Sequence, residues 1–297
     1  MEKICIDSLI RNDEDMSKHS SFKAGGTAKY FAAPKNEEEV LNCLSYAEEK
    51  NLDYYVIGNG SNILVSDKGY DGLIIKFGEQ LSKITVDNNI ITAYAGALMK
   101  DINSAALKNH LSGFEGLSGI PGSIGGAVAM NAGAYDYETK NLVKDVRLIN
   151  NKGKIETLCV DELKMGYRRS IFTENKNIAL KIRLELNKAD INTIKERVDD
   201  FTSRREKSQP LEYASAGSTF KRPEGYFVGK LVEDSGLKGI SVGDAAVSTK
   251  HGGFVINKGN ATATQIYELI CLIISRIYAK YQVKLQPEVK LIGDFKF

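Results

Sequence analysis

Five short segments of this chain carry residue types and spacings that can do chemistry. Gly58-Asn59-Gly60-Ser61-Asn62 lets the backbone turn sharply, and its successive N–H groups can converge on phosphate oxygens. A GxGxxG dinucleotide fingerprint would need glycine at 63, where Ile stands, so the segment taken alone reads first as a tight turn. Gly119-Ile120-Pro121-Gly122-Ser123-Ile124-Gly125-Gly126 runs into Ala127-Val128-Ala129-Met130-Asn131-Ala132-Gly133-Ala134. Residues this small suit either a cofactor lying flat on the backbone or a close helix–sheet contact. Gly166-Tyr167-Arg168-Arg169-Ser170 is a solvated cationic cluster if exposed and a carboxylate or enolate clamp if buried. Ala216-Gly217-Ser218-Thr219-Phe220-Lys221-Arg222-Pro223 holds a serine that lacks the GxSxG context of a hydrolase but can donate a proton or a hydrogen bond. Gln286-Pro287-Glu288-Val289 places one carboxylate near the carboxyl end.

The elements that must position these segments can be read from periodicity. A helix is expected over 37–50, with Asn36 and Glu39 at capping-box spacing and Val40, Leu41, Leu44 and Ala47 on one face. Strands are expected at 54–57, 63–65, 72–77 and 90–95, and an amphipathic helix around Ile102, Ala105, Ala106 and Asn109. Residues 146–149 and 155–158 flank Asn150-Asn151-Lys152-Gly153-Lys154 as a hairpin. The clearest strand is 178–186, where apolar residues alternate with Ala179, Lys181, Arg183 and Glu185. Helical spacing of Ile191, Ile194, Val198 and Phe201 then marks a domain boundary after 190. The expected organisation is 1–190 (parts 1–78 and 79–190), a smaller α+β domain at 191–285 ending in an apolar helix over 264–282, and a terminal strand within 286–297.

Composition narrows the function classes. The 297 residues are 42% hydrophobic, enough for a sizeable core, and 40 Lys+Arg against 38 Asp+Glu leave a net charge of only +2. That balance gives no electrostatic footprint for nucleic acid or an anionic membrane, and neither is expected as a partner. Charges at Glu2, Lys3 and Asp7 interrupt what a signal peptide would need as its apolar stretch. Residues 266–281 are broken by Glu268 and Arg276, short of the roughly 20 apolar residues that span a bilayer. Cys5, Cys43, Cys159 and Cys271 are scattered, which suggests neither metal site nor disulfide framework, and points to a reducing, cytoplasmic setting.

Taken in order, GNGSN, GIPGSIGGAVAMNAGAY, GYRRS, AGSTFKRP and QPEV resemble the UDP-N-acetylenolpyruvoylglucosamine reductase (MurB) family across nearly the whole chain. The glycine-rich motif is shared with flavoprotein relatives; the last three distinguish the reductases. The chain lacks room for the extra substrate loop of the longer family class and is similar to the shorter one. The resemblance implies an α+β fold, with a FAD-binding fold of the vanillyl-alcohol oxidase/PCMH type in two α+β subdomains and a smaller α+β substrate-binding domain. It implies a UDP-N-acetylmuramate dehydrogenase, in which noncovalent FAD takes a hydride from NADPH and passes it to the enolpyruvyl ether of UDP-N-acetylglucosamine, for peptidoglycan synthesis.

Residue by residue, it implies that Arg168 stabilises charge on the substrate carboxylate and incipient enolate. Ser218 is implied as proton donor and Glu288 as a further catalytic group. Gly58, Asn59, Gly60, Ser61, Asn62, Pro121, Gly122, Ser123, Gly125, Gly126, Asn131, Gly133 and Ala134 are implied at FAD. Lys207 matches a lysine near the substrate phosphates; Arg204 or Arg205 could share that task, and Arg222 and His251 are further candidate substrate contacts. No metal is implied, and a monomer is favoured. Tyr135-Asp136 departs from the more usual Tyr-Gly. Two other readings are a flavin oxidase of the same fold, which leaves GYRRS, AGSTF and QPEV unexplained, and a nucleotide-sugar-binding protein on a decayed flavin scaffold.

Overall fold

The structure is a computed structural model that describes residues 9–295, so Cys5 and the reading of the first seven residues lie outside the described part, as do the last two residues of the expected terminal strand. The chain divides into two compact units, each built from separated stretches. One comprises Ala32–Asn59 and Ile74–Arg205, with the described residues up to Arg11. The other comprises Asn12–Phe31, Gly60–Leu73 and the chain from Glu206 onward.

The first unit is organised on a five-stranded antiparallel sheet in the order Ile155–Cys159, Val143–Ile149, Ile178–Glu185, Ile90–Tyr94, Ile84–Asp87. The expected hairpin closes with Ile149 opposite Ile155. Ile91, Val146, Leu148, Ile182 and Leu184 are fully buried, which is why the alternating strand sits at the centre of the sheet. Helix Glu37–Glu49 starts where Asn36 Oδ1 accepts the Glu39 N–H at 2.8 Å and buries Val40, Cys43 and Ala47. Its Glu37 carboxylate takes a forked pair of bonds from Arg147.

Periodicity makes helix Ile191–Ser208 the opening of a new domain, yet the first unit includes it as far as Arg205. The reason is in its packing. Phe201 stacks on Tyr135 at 4.8 Å and meets Tyr137 edge-on, and Arg197 reaches buried Glu115 at 3.7 Å. The stretch before it is also structured: Asn187–Lys188 pairs with Leu111–Ser112 rather than forming a loose linker.

In the second unit a four-stranded antiparallel sheet, in the order Ala214–Ser215, Val255–Asn257, Ala245–Val247, Ser241–Val242, packs under helix Ala263–Tyr281. That helix buries Ile266, Leu269, Ile270, Ile273 and Ile277, a 3.6-residue stripe, and carries a capping box between Thr262 and Gln265. Phe22 and Leu64, distant in sequence, complete the same core. Ile63–Val65 runs parallel to Lys290–Ile292. Among the described residues no helix is long and apolar enough to cross a membrane.

Asp67 provides a stability prediction. Its carboxylate accepts the Ala263 N–H at 2.9 Å and the Thr264 N–H at 2.7 Å, at the positive end of the helix. Burial raises its pKa, but the bonds from Thr264 and Ala263 outweigh it and leave it lowered. A carboxylate depressed on folding stabilises above its unfolded pKa, and that contribution is lost as pH falls through the folded value. Asp67→Asn should therefore cost about 1 kcal/mol near neutrality, with the gap to wild type closing in acid. Urea denaturation at a series of pH values checks this; a gap that widens in acid would contradict it.

Candidate active site

In the first unit the glycine-rich segment has two faces with different duties. Gly122 and Gly125 belong to a backbone seam: Met99 N–H bonds Gly122 O at 3.0 Å, Ile124 N–H bonds Ala97 O at 2.8 Å, and Gly125 N–H bonds Ala95 O at 2.9 Å. A Cβ on Gly125 would come within 2.7 Å of the Ala95 side chain, so close packing requires glycine there. Gly126 is different. It is exposed, and a Cβ on it would meet only Ser123 Oγ, at 3.7 Å. Ser123 Oγ is itself buried without a hydrogen-bond partner, the condition of a hydroxyl that awaits a ligand. Gly58 must lack a side chain because its Cβ would collide with that same hydroxyl. Asn59 donates to Pro121 O at 2.7 Å, so the two glycine-bearing turns are tied directly.

Asn131 does not turn its amide to the open face. Its Nδ2 donates to Gly166 O at 3.1 Å and Glu138 Oε2 at 3.2 Å, and its Oδ1 accepts the Lys140 N–H at 3.0 Å. The structure thus gives Asn131 a bracing role toward the GYRRS loop, one that its place in the glycine-rich motif does not suggest. Arg168 Nη1 donates to Asn131 O at 3.3 Å, and Arg168 has a left-handed φ of 56°. Such a conformation in a non-glycine residue is held by its surroundings and is common at functional positions. Here the holders are the mutual backbone bonds of Gly166 and Arg169, and Ser170 Oγ bonded to Ala129 O at 2.7 Å. Arg168 is half-buried and Arg169 exposed, which separates the two adjacent arginines.

Gly133–Ala134 and Tyr137–Glu138 form a small hairpin whose central residues, Tyr135 and Asp136, have φ of 53° and 65°. A turn with both central residues left-handed favours glycine at the second, so Asp136 is a turn substitution that aspartate tolerates. Arg205 lies over Gly119, whose Cβ would sit 2.6 Å from its Nε, and burial lowers its pKa. Arg204 is engaged by Asp200 one helical turn earlier.

The second unit assembles Ser218 and Glu288 in one place. Residues 219–221 run antiparallel to 286–288: Lys221 N–H bonds Gln286 O at 2.9 Å, and Glu288 N–H bonds Thr219 O at 2.8 Å. Thr219 is fully buried and pinned again by its N–H on Gly253 O and by Val255 N–H on its Oγ1. Ser218 is exposed next to this fixed residue, after Gly217 with φ 72°. Asn62 Nδ2 donates to Glu288 O at 3.2 Å, which brings the end of the GNGSN turn to the same spot. Gly60, at φ 68°, presses on the His19 carbonyl where no side chain fits.

His251 Nδ1 accepts the Gly253 N–H at 3.1 Å and buttresses the loop that holds Thr219, and burial pushes its pKa down. Lys207 is exposed, and the Arg222 guanidinium stacks 3.9 Å over Phe227. Two features escape the motif-based reading. Ser21, whose N–H bonds Gly60 O, has a buried hydroxyl without a partner; the run Ser20-Ser21 before Gly25-Gly26 is the available signal. Lys290 is half-buried near Glu288, two residues beyond the carboxylate of QPEV and in no motif of its own.

The chain is similar to known proteins along nearly its whole length. Residues 209–292 match the family model of the UDP-N-acetylenolpyruvoylglucosamine reductase C-terminal domain, and 28–158 match that of a FAD binding domain. A Clostridium perfringens protein named UDP-N-acetylenolpyruvoylglucosamine reductase is 51% identical over 284 residues, covering 96% of this chain and 93% of the relative. One of the same name from Clostridioides difficile is 47% identical over 285 residues, covering 96% of this chain and 94% of the relative. The crystal structure of the Thermus caldophilus reductase superposes with a TM-score of 0.83 at 31% identity, over 96% of this chain and all of that one. The architecture is the α+β FAD-binding fold with a reductase-type C-terminal domain.

Proposed function

Because the chain belongs to the UDP-N-acetylenolpyruvoylglucosamine reductase family, we propose that Arg168, Ser218 and Glu288 carry out its reaction. The protein is an FAD-containing oxidoreductase that reduces UDP-N-acetylglucosamine enolpyruvate to UDP-N-acetylmuramate with NADPH, in peptidoglycan precursor synthesis. Bound FAD supplies the hydride chemistry, from NADPH to the methylene carbon of the enol ether. The observation that supports the roles of Ser218 and Glu288 is the Glu288 N–H bond to Thr219 O, one residue from Ser218.

Each role follows from charge. An enol ether accepts hydride only where negative charge developing on its carboxylate side is stabilised, and a guanidinium suits that task. Arg168 supplies it. Ser218 delivers the proton that completes the product; a hydroxyl is a weak acid, so it acts on a strongly basic carbon and depends on being positioned. Glu288 orients a donor or a water in its ionised form, or donates when protonated.

The residues present fit FAD. Ser123 offers a buried hydroxyl without a partner, and Gly126 leaves open space above the backbone. Gly58, Asn59, Gly60, Ser61, Asn62, Pro121, Gly122, Ser123, Gly125, Gly126, Gly133 and Ala134 are proposed to hold it without a covalent bond, with Asn131 as their brace. The domain roles expected for 1–190, 191–285 and 286–297 are proposed with the boundary moved: FAD binding chiefly by the first unit, which runs to Arg205, and substrate binding by the second, with the catalytic Glu288 near its end. A cytoplasmic monomer is proposed, and the balanced charge supports the proposal that it has no nucleic-acid or membrane partner.

Gly126→Val tests the cofactor assignment. Because the Cβ has room in the protein itself, the variant should fold with near wild-type thermal stability of the apoprotein yet purify without FAD. Full flavin stoichiometry after acid release would remove this loop from the cofactor site. Lys207→Ala tests the phosphate assignment: KM for the UDP-sugar should rise about tenfold while kcat changes little, because a contact remote from the reacting carbons contributes mainly to binding. An unchanged KM would shift the phosphates to Arg222 or Arg205.

A further inference from the structure

We propose that Lys290 and Lys221 form an anion-binding pair beside Glu288 that takes an acidic oxygen of the substrate, a carboxylate or a phosphate. The proposal rests on the reductase reading above and goes beyond it by adding two cations to the site. Three observations carry it. The backbone fixes both lysines close to Glu288: Lys290 N–H bonds Asn62 O at 3.0 Å, Asn62 Nδ2 bonds Glu288 O, and Lys221 N–H bonds Gln286 O at 2.9 Å. Burial then places the side chains. Val289 is buried between half-exposed Glu288 and Lys290, and Phe220 is buried just before half-exposed Lys221, so the charged residues turn away from the core.

The third observation is the balance of charge. The charged groups acting on the Lys290 ammonium are Lys221, which is unfavourable, and Glu288, which is favourable. Burial is the largest cause of its lowered pKa, Lys221 the next, and Glu288 only partly offsets them. The half-buried Lys290 ammonium thus has one favourable and one unfavourable charge acting on it, on the strand pair that carries Glu288. A second like charge acting on a half-buried ammonium is unfavourable unless an anion offsets it. An incoming anion removes the conflict by balancing the excess positive charge. The substrate of this family carries a carboxylate at its reacting end and a diphosphate farther away, and either could occupy the pair.

The test uses the oxidised holoenzyme without NADPH, so that binding is read without turnover from perturbation of the flavin spectrum. Two nucleotides are titrated: UDP-N-acetylglucosamine enolpyruvate and UDP-N-acetylglucosamine, which has the same phosphates and no carboxylate. Lys290→Met and Lys221→Met should each weaken the enolpyruvyl nucleotide roughly 10–100-fold, as expected for loss of a charged hydrogen bond. Lys290→Arg should recover most of the affinity, a rescue that a merely packed alkyl stem would not require. If UDP-N-acetylglucosamine keeps its affinity in Lys290→Met, the anion is the carboxylate; if both nucleotides weaken alike, it is a phosphate. Wild-type affinity for both nucleotides in the two Met variants overturns the pair. So does loss of flavin from Lys290→Met and Lys290→Arg together, which would make the position structural. Wild-type protein that binds neither nucleotide removes the reductase reading itself, and the pair with it.

Discussion

Ser218→Ala should purify as a folded, yellow protein whose flavin band is bleached by NADPH at a near-normal rate. Its reoxidation by the enolpyruvyl nucleotide should be slower by several orders of magnitude, of which loss of general-acid catalysis accounts for roughly 10²–10⁴-fold. The structure explains why the fold should not suffer. Ser218 is exposed, and the neighbouring chain is fixed by Thr219 through bonds to Gly253, Val255 and Glu288, none of which uses the serine hydroxyl. The defect is one-sided because hydride transfer from NADPH needs no proton from this residue, whereas the reduced product needs one on carbon. Stopped-flow absorbance resolves the two halves. If both slow equally, or neither does, the hydroxyl is structural and the proton comes from another group or from water.

Arg168→Ala should show the same asymmetry, with the second half slowed roughly 10²–10³-fold, the range seen when one charge-stabilising donor is removed from a reacting centre. Its guanidinium bonds Asn131 O at a long 3.3 Å, and the left-handed turn is held by the backbone of Gly166 and Arg169 and by the Ser170 hydroxyl. The course of this loop should therefore survive the substitution. Arg168→Lys should recover only part of the rate, because an ammonium keeps the charge and loses the planar fork. A normal second half in Arg168→Ala would assign the charge stabilisation elsewhere, with Lys290 and Lys221 next.

Local pattern makes much of this molecule legible. The Asn36 cap, the hairpin closing at Ile149 and Ile155, the strand Ile178–Glu185 and the helix Ala263–Tyr281 all show their period within one short stretch of sequence. What local pattern does not encode is which distant stretches share a core. Phe22 and Leu64 join the C-terminal helix across some two hundred residues, and nothing in their neighbours announces it. Helix Ile191–Ser208 looks like the start of a domain because strand alternation gives way there to helical spacing; its Phe201 and Arg197 in fact pack against the glycine-rich segment and Glu115. Strands such as Ala214–Ser215 and Ser241–Val242 are too short for alternation to appear.

The site divides in the same way. Its motifs stand out by composition, since glycine clusters and paired arginines are rare by chance. The particular duties of single residues, inside the motifs or outside them, do not stand out, because they depend on partners far along the chain. Asn131 braces Gly166, Asn62 holds Glu288, and Asp67 caps a helix that begins at Ala263. Gly125 illustrates how one motif can serve two ends: the segment is both a close-packing seam at Gly125 and an open face at Gly126 and Ser123.

The most direct measurement of the central claim is the stoichiometry of the complete reaction under anaerobic conditions. Purified holoprotein is mixed with NADPH and UDP-N-acetylglucosamine enolpyruvate, with NADPH followed by absorbance and the nucleotide product by mass. One NADPH should be consumed for each UDP-N-acetylmuramate formed, a product two hydrogens heavier than the substrate, with no sustained NADPH consumption when the enolpyruvyl nucleotide is left out. NADPH consumption that ignores the nucleotide, or that requires oxygen and yields peroxide, would contradict the reductase assignment and favour an oxidase on the same fold.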